Sequence, residues 1–228
     1  MAGKGETAEP IRPRRVSRQQ AAGEATRRET RRRLLAAATA EFAERGYAAA
    51  TVIRIAERAD VSVQTLYSNW GSKRNLLRAV LESAVTGDDD VPLASGEPPA
   101  ILTATLDPGD AKDPRRLLAH LSHQYRLMAE RVAVAWQAYR DGAATDPGIA
   151  ADWQQLNELR RQVFRAMYAR LPAQVLRPGL THEAAADTAW VIASPETHDQ
   201  LVRQAGYSYD QLEEWIRSTL TAALFPDP

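Results

Sequence analysis

The sequence predicts an all-α chain: a small N-terminal helix-turn-helix domain on a larger C-terminal helical bundle. Three observations predict it. Apolar residues recur every three or four positions through most of the chain, without the alternation of half-buried strands. Alanine is abundant, which disfavours strands. Ser, Thr, Asp, Gly and Pro fall where helices start and stop.

Residues 1–26 are rich in Gly, Pro, Arg, Gln and Glu and lack apolar periodicity, so they are expected to form a disordered basic arm. Arg12, Arg14, Arg15 and Arg18 are spaced to reach phosphates or a minor groove; a solubilising tail is the competing reading. The first helix is expected from Arg27 to Arg45, with Leu35, Ala38 and Phe42 inward and Gly46 as its stop. Arg27, Arg28, Arg31, Arg32 and Arg33 crowd its start. Cations there oppose the helix dipole, so a neighbouring phosphate explains them better than helix stability does.

Over about residues 52–71, two short helices meet at a tight turn. Thr51 is placed to cap the first, which carries Val52, Ile55, Ala56 and Ala59 on one face. Asp60-Val61 breaks the run. Ser62 caps the second, whose Gln64, Thr65 and Tyr67 point outward while Val61 and Leu66 point in. Gly71-Ser72 closes it and opens a fourth helix to about Val85, with Leu76, Leu77, Val80 and Leu81 at core spacing. A short, polar second helix after a sharp turn is the geometry that enters a DNA major groove. The small core is expected to hold Leu35, Ala38, Phe42, Ile55, Ala56, Val61, Leu66 and Leu77, giving a domain at 27–86.

These residues resemble the TetR family of bacterial transcriptional regulators. The resemblance is carried by Phe42, Gly46-Tyr47, Thr51, Ile55-Ala56, Ala59-Asp60-Val61-Ser62, Thr65-Leu66-Tyr67, Trp70, Gly71-Ser72-Lys73 and Leu76-Leu77. Trp70 stands where the family more often has Phe, and Ile53 where it often has a polar residue. A looser match covers Trp190, Ser194-Pro195-Glu196, Leu201-Val202, Gly206, Glu214-Trp215 and Leu220, which resemble the family's last helices. The resemblance implies dimerisation through those helices and an effector pocket in the C-terminal domain.

Residues 87–228 form that second domain. Residues 87–113, with three consecutive aspartates and several prolines, are expected to be a long connection with a helical turn at Ile101–Thr105. Asp113-Pro114 opens a long helix ending near Gly142, and Asp146-Pro147 opens another by the same device. The stripe of the latter is Ile149, Trp153, Leu156, Leu159 or Arg160, Val163, Met167 and Leu171. Thr181 caps the next helix; Ser194-Pro195-Glu196 kinks or restarts it. Ser208 with Gln211 forms a capping box before Leu212, Trp215, Ile216, Leu220 and Leu224.

Composition narrows the function. The 228 residues contain no cysteine, which excludes disulfides, thiol redox sensing and Cys-based zinc sites. No apolar run approaches a membrane span, and the basic N-terminus lacks the apolar stretch of a signal peptide, so a cytoplasmic location is expected. The net charge of zero conceals a division: residues 1–86 hold 16 Lys/Arg against 9 Asp/Glu, whereas residues 87–228 hold 13 against 20. A basic third on an acidic remainder suits a nucleic-acid-binding part joined to one that is not. His120, His123, His182 and His198 have no carboxylate placed to complete a metal site, and no catalytic constellation or phosphate loop is present. Neither enzymatic activity nor a cofactor is expected.

The reading is a sequence-specific, ligand-responsive, homodimeric repressor. Thr51, Tyr67 and Lys73 are expected to hold operator phosphates, Val63, Gln64 and Thr65 to face base edges, and Ser62 and Asn69 to assist. His120, Tyr125, Met128, Trp136, Tyr139, Trp153, Phe164 and Met167 are expected around a small apolar or aromatic effector. Leu201, Val202, Leu212, Trp215, Ile216 and Leu220 are expected at the dimer interface. Two alternatives remain open: a sequence-independent architectural DNA binder, and a helical small-molecule-binding protein or enzyme with an incidental helix-turn-helix.

Overall fold

A computed structural model describes residues 18–87 and 113–226. Helix α1 runs Arg18–Ala49, α2 Val52–Arg58, α3 Val63–Trp70 and α4 Lys73–Thr86. After the connection come α5 Pro114–Ala143, α6 Pro147–Tyr168, α7 His182–Ile192, α8 Pro195–His198 and α9 Tyr209–Leu224. The expected helical turn at residues 101–105 and Arg12, Arg14 and Arg15 lie outside the described residues.

Local chemistry sets most boundaries. Asp146 Oδ1 accepts from the Gly148 and Ile149 N–H groups at 2.8 and 3.2 Å, with Pro147 as the first residue of α6. Thr181 accepts from Ala184 N at 3.1 Å. Ser194 accepts from Thr197 N at 3.0 Å, so the chain restarts at Pro195 and widens into a π-helical turn over Asp199–Gln204. Ser208 and Gln211 form the reciprocal capping box at 2.8 and 3.2 Å. Gly46, at φ 67 and ψ 176, interrupts α1 where the helix was expected to stop.

The start of α1 differs from expectation. The helix is already formed at Arg18, so residues 18–26 are helical rather than part of a structureless arm. Gln, Ala, Glu and Arg are good helix formers without any apolar stripe. Residues 20–29 are all exposed, which is why periodicity carried no signal there.

Among the described residues the buried apolar side chains form two cores. The first joins Leu34, Ala38, Phe42, Ile55, Leu66, Trp70, Leu76, Leu77 and Val80 to Val132, Trp136 and Tyr139 of α5 and Ile149 of α6. The second packs Leu117 and Leu121 of α5 against Phe164 and Tyr168 of α6, Ala185 and Ala189 of α7, and Leu212, Ile216 and Leu220 of α9. The small-domain core is therefore continuous with the bundle, across the division expected near residue 86. Each large side chain so buried contributes roughly 1.5–3 kcal/mol, an upper value. Trp136, Tyr139 and Ile149 thus add an amount comparable to the whole net stability of a small domain. The expected core residues are buried, except Val61, which is half-buried against the first core.

Candidate nucleic-acid interface and the interior cavity

The reading head is built on caps. Thr51 Oγ1 accepts from Arg54 N at 3.3 Å, Ser62 Oγ from Thr65 N at 3.1 Å, and Ser72 Oγ from Asn75 N at 3.1 Å. Between α2 and α3, Asp60 adopts φ 53, a left-handed conformation Asp tolerates better than most residues. Leu66 and Trp70 anchor α3 inward, with Arg31 over the Trp70 ring at 5.3 Å. Gln64, Tyr67, Ser68 and Asn69 are left on the exposed face, beside exposed Ile53 and Arg54.

The predicted contact residues fall into three groups. Gln64 and Tyr67 are exposed, as is Thr51 at the preceding cap. Val63 and Thr65 are half-buried, and the Thr65 hydroxyl lies 2.8 Å from that of Ser62. Asn69 donates to Thr65 O at 2.7 Å, so its amide nitrogen bonds its own helix. Lys73 stands apart. Its ammonium donates to Tyr47 O at 2.7 Å and Ala50 O at 2.9 Å, and lies 4.2 Å from the Tyr47 ring centre. It binds the carbonyls where α1 ends, and burial draws its pKa below the ordinary lysine value.

The head is fastened to the bundle by groups that periodicity did not single out. Arg74 donates from Nε and Nη2 to the Asp152 carboxylate at 2.6 and 2.7 Å. This guanidinium holds the Asp152 carboxyl below its usual range, against the opposing effect of burial. Nearby, a Cβ on Gly142 would lie 2.8 Å from Tyr47 Cδ1.

A cavity of about 510 Å³ lies where the two cores meet. Tyr125, Met128, Trp136, Trp153, Phe164 and Met167 line it, with Trp136 and Trp153 edge to face at 4.7 Å and Tyr125 stacked on Phe164 at 5.2 Å. Two expected members are elsewhere. His120 is not among the lining residues, and Tyr139 lines a separate cavity beside Asp152 because its side chain turns toward α4 and α6. The reading head reaches the aromatic cavity through Phe42 and Ala43 of α1 and Leu81 and Val85 of α4. Arg160 lines it too; a cation falling on the apolar stripe of α6 was the available sign.

The expected dimer surface needs correcting. Leu212, Ile216 and Leu220 are 1%, 2% and 0% exposed, so they fill the chain's own second core and offer nothing to a partner. Their helical spacing alone suggests an outward apolar face, but Leu117 and Leu121 of α5 and Ala185 and Ala189 of α7 share their core. Leu201, Val202 and Trp215 are half-buried, Val202 lines the cavity, and Val191 of α7 is 56% exposed.

The family model "Bacterial regulatory proteins, tetR family" matches residues 34–80, the segment that carries the helix-turn-helix. No protein of curated function matches the chain. Solved structures match along most of its length. The SmeT–triclosan complex is 20% identical with a TM-score of 0.65, covering 87% of this chain and 92% of that one. SmeT is the repressor of the Stenotrophomonas maltophilia multidrug efflux pump SmeDEF. NalD, secondary repressor of the MexAB-OprM multidrug efflux pump in Pseudomonas aeruginosa, is 19% identical at TM-score 0.59, covering 88% and 98%. A putative TetR-family transcriptional regulator from Rhodococcus sp. is 18% identical at 0.60, covering 86% and 98%. At these identities the likeness is one of fold. No helix among the described residues is long and apolar enough to cross a membrane. The helix-turn-helix segment, residues 34–80, thus matches the model of the bacterial tetR-family regulatory proteins, and the all-α fold is shared along most of the chain with solved structures of such regulators.

Proposed function

We propose that the protein is a homodimeric repressor that reads operator DNA with α3 and leaves it when a small aromatic effector fills the cavity between the two cores. The observation that carries this reading is the shared lining: Leu81 and Val85 of α4 and Phe42 of α1 face the same space as Trp136 and Trp153. An occupant touches both the reading head and the bundle. A ligand shifts such an equilibrium only by preferring one arrangement, and about 1–3 kcal/mol of preference changes operator affinity 5–150-fold. That SmeT has been obtained with triclosan supports a small-molecule effector here.

In the groove, Gln64 faces base edges with Val63 and Thr65 beside it, and Thr51 and Tyr67 hold phosphates. Ser62 and Asn69 act through the helix they cap and brace, and Lys73 by fixing the end of α1 against α4. Two reading heads are needed for two half-sites about one helical turn apart. The outer faces of α7 and α9, with Val191 and Trp215, are the surface proposed to join them.

The test begins with selection of bound duplexes from a random pool. A two-half-site sequence bound at least about a thousandfold tighter than scrambled DNA is expected. Equal affinities would identify an architectural binder instead. Gln64→Ala should lose roughly 1–3 kcal/mol on the selected duplex and little on the scrambled one. Aromatic compounds that quench Trp136 or Trp153 fluorescence should release the selected duplex. Quenching without release would remove the effector role.

A further inference from the structure

With the cavity as the effector site, its chemistry says more about the occupant than its shape does. Arg160 of α6 lies over two rings, its guanidinium carbon 4.8 Å from the Trp190 centre and 5.5 Å from that of Phe164. Nη1 and Nη2 both donate to Trp190 O at 3.0 Å, and Nη1 reaches Ala193 O at 3.5 Å. That uses one edge of the fork. Nε is buried and has no hydrogen-bond partner among the described residues.

The neighbouring cations are treated differently. Arg161 pairs with Asp187 at 2.6 Å and Arg165 with Glu183 at 2.7 Å. Arg140 and Arg203, also on the cavity, share Asp199 at 3.3 and 2.5 Å. Arg160 has no carboxylate within 4.0 Å among the described residues; exposed Glu196 acts on it only through space. The carbonyls at the end of α7 supply about half a negative charge, which offsets a full positive charge only in part. Burial pulls the Arg160 pKa down to about 10, which leaves it charged at neutral pH.

Resting on the effector role of the cavity, we propose that Arg160 is the anchor for an acidic effector: an aromatic body lies along Trp136, Trp153 and Tyr125, and its carboxylate takes the Nε–Nη2 edge of Arg160. That edge presents two parallel N–H donors at the spacing of two carboxylate oxygens. The same desolvated charge disfavours an occupant that is apolar throughout, because it would leave Nε unpaired.

The experiment uses the full-length protein and a matched pair of fluorescent probes, 1-pyrenebutyrate and its primary amide, titrated in the absence of DNA. The acid should bind about tenfold tighter or more. Arg160→Gln should reduce that preference to about threefold or less while leaving amide affinity nearly unchanged. Arg161→Gln, at a cation already paired with Asp187, should keep the preference. Equal or weaker binding of the acid to the wild-type protein overturns the proposal, whether or not Arg160→Gln folds. If the amide binds as well as the acid and still releases operator, the acidic-effector inference falls and the effector cavity stands. Binding of neither probe removes both.

Discussion

Arg74 of α4 and Asp152 of α6 meet in a two-bond ion pair across the junction of reading head and bundle, with N–O distances of 2.6 and 2.7 Å. The Asp152 side chain is 9% exposed and that of Arg74 42%, so the pair is neither fully buried nor freely solvated. Solvent screening reduces its worth below that of a buried pair. A double-mutant cycle of Arg74→Ala and Asp152→Ala in urea should give a coupling energy of about 1 kcal/mol. The single variants should also alter the fold-change in operator affinity that a cavity ligand produces. Additive stabilities and an unchanged ligand response would reduce the pair to a surface contact.

A second joint lies at Gly142, where α5 passes Tyr47. A methyl there would stand 2.8 Å from Tyr47 Cδ1 and 3.1 Å from Ile149 Cγ2. Tyr47 is 6% exposed and has Lys73 against its face, so it has little room to retreat. Gly142→Ala should cost about 1–3 kcal/mol by overpacking. Tyr47→Val in the same chain should recover part of that loss, which thermal unfolding of the four proteins would measure. Simple additivity would mean that α5 moves aside instead.

Acid should destabilise the protein in two windows. Burial holds His198 below its ordinary value of 6.5, so it is neutral in the fold and must charge as pH falls. The unfolded chain binds that proton first, so stability declines below about pH 6.5. The carboxyls of Asp152, Asp187 and Asp199 are held low by hydrogen bonds from Arg74, Arg161 and Arg203. Their contribution is complete above the ordinary carboxylate range and is lost as pH falls through their folded values, about 2 for Asp187. Urea midpoints against pH should show a shallow slope, then a steeper one. His198→Gln should remove the first and Asp152→Asn should weaken the second; slopes unchanged by both would reject these assignments.

The parts of this molecule legible in sequence are those where local chemistry and burial agree. Thr51, Ser62, Asp146 and Ser208 are caps because their side chains reach nearby backbone N–H groups, and that needs only local sequence. Phe42, Ile55 and Leu66 are core because their spacing leaves one face for them. Helix direction is harder to read. Leu212, Ile216 and Leu220 share a face, but which neighbour covers it is a fact of tertiary packing. Residues 18–26 are helical without an apolar stripe, so periodicity could not find them. Arg74–Asp152 and Arg160–Trp190 link positions far apart in sequence, and only folding brings them together.

Lys73 separates position from role. It sits just after the reading helix, where a cation invites assignment to a phosphate. Here its ammonium bonds Tyr47 O and Ala50 O, two carbonyls where α1 ends. Lys73→Met keeps the stem over Tyr47 and removes the donors. Charge-assisted hydrogen bonds contribute roughly 1.5–3 kcal/mol each, and partial exposure lowers that, so a total loss of about 1–3 kcal/mol is expected. Operator affinity should fall modestly through misplacement of α1 and α4, while the slope of log affinity against log salt stays as in the wild type. A lysine that held a phosphate in the complex would show the reverse: little change in stability and a slope smaller by about one. Measuring both quantities on one variant decides between the two roles, and a reduced slope at unchanged stability would return Lys73 to the DNA contacts.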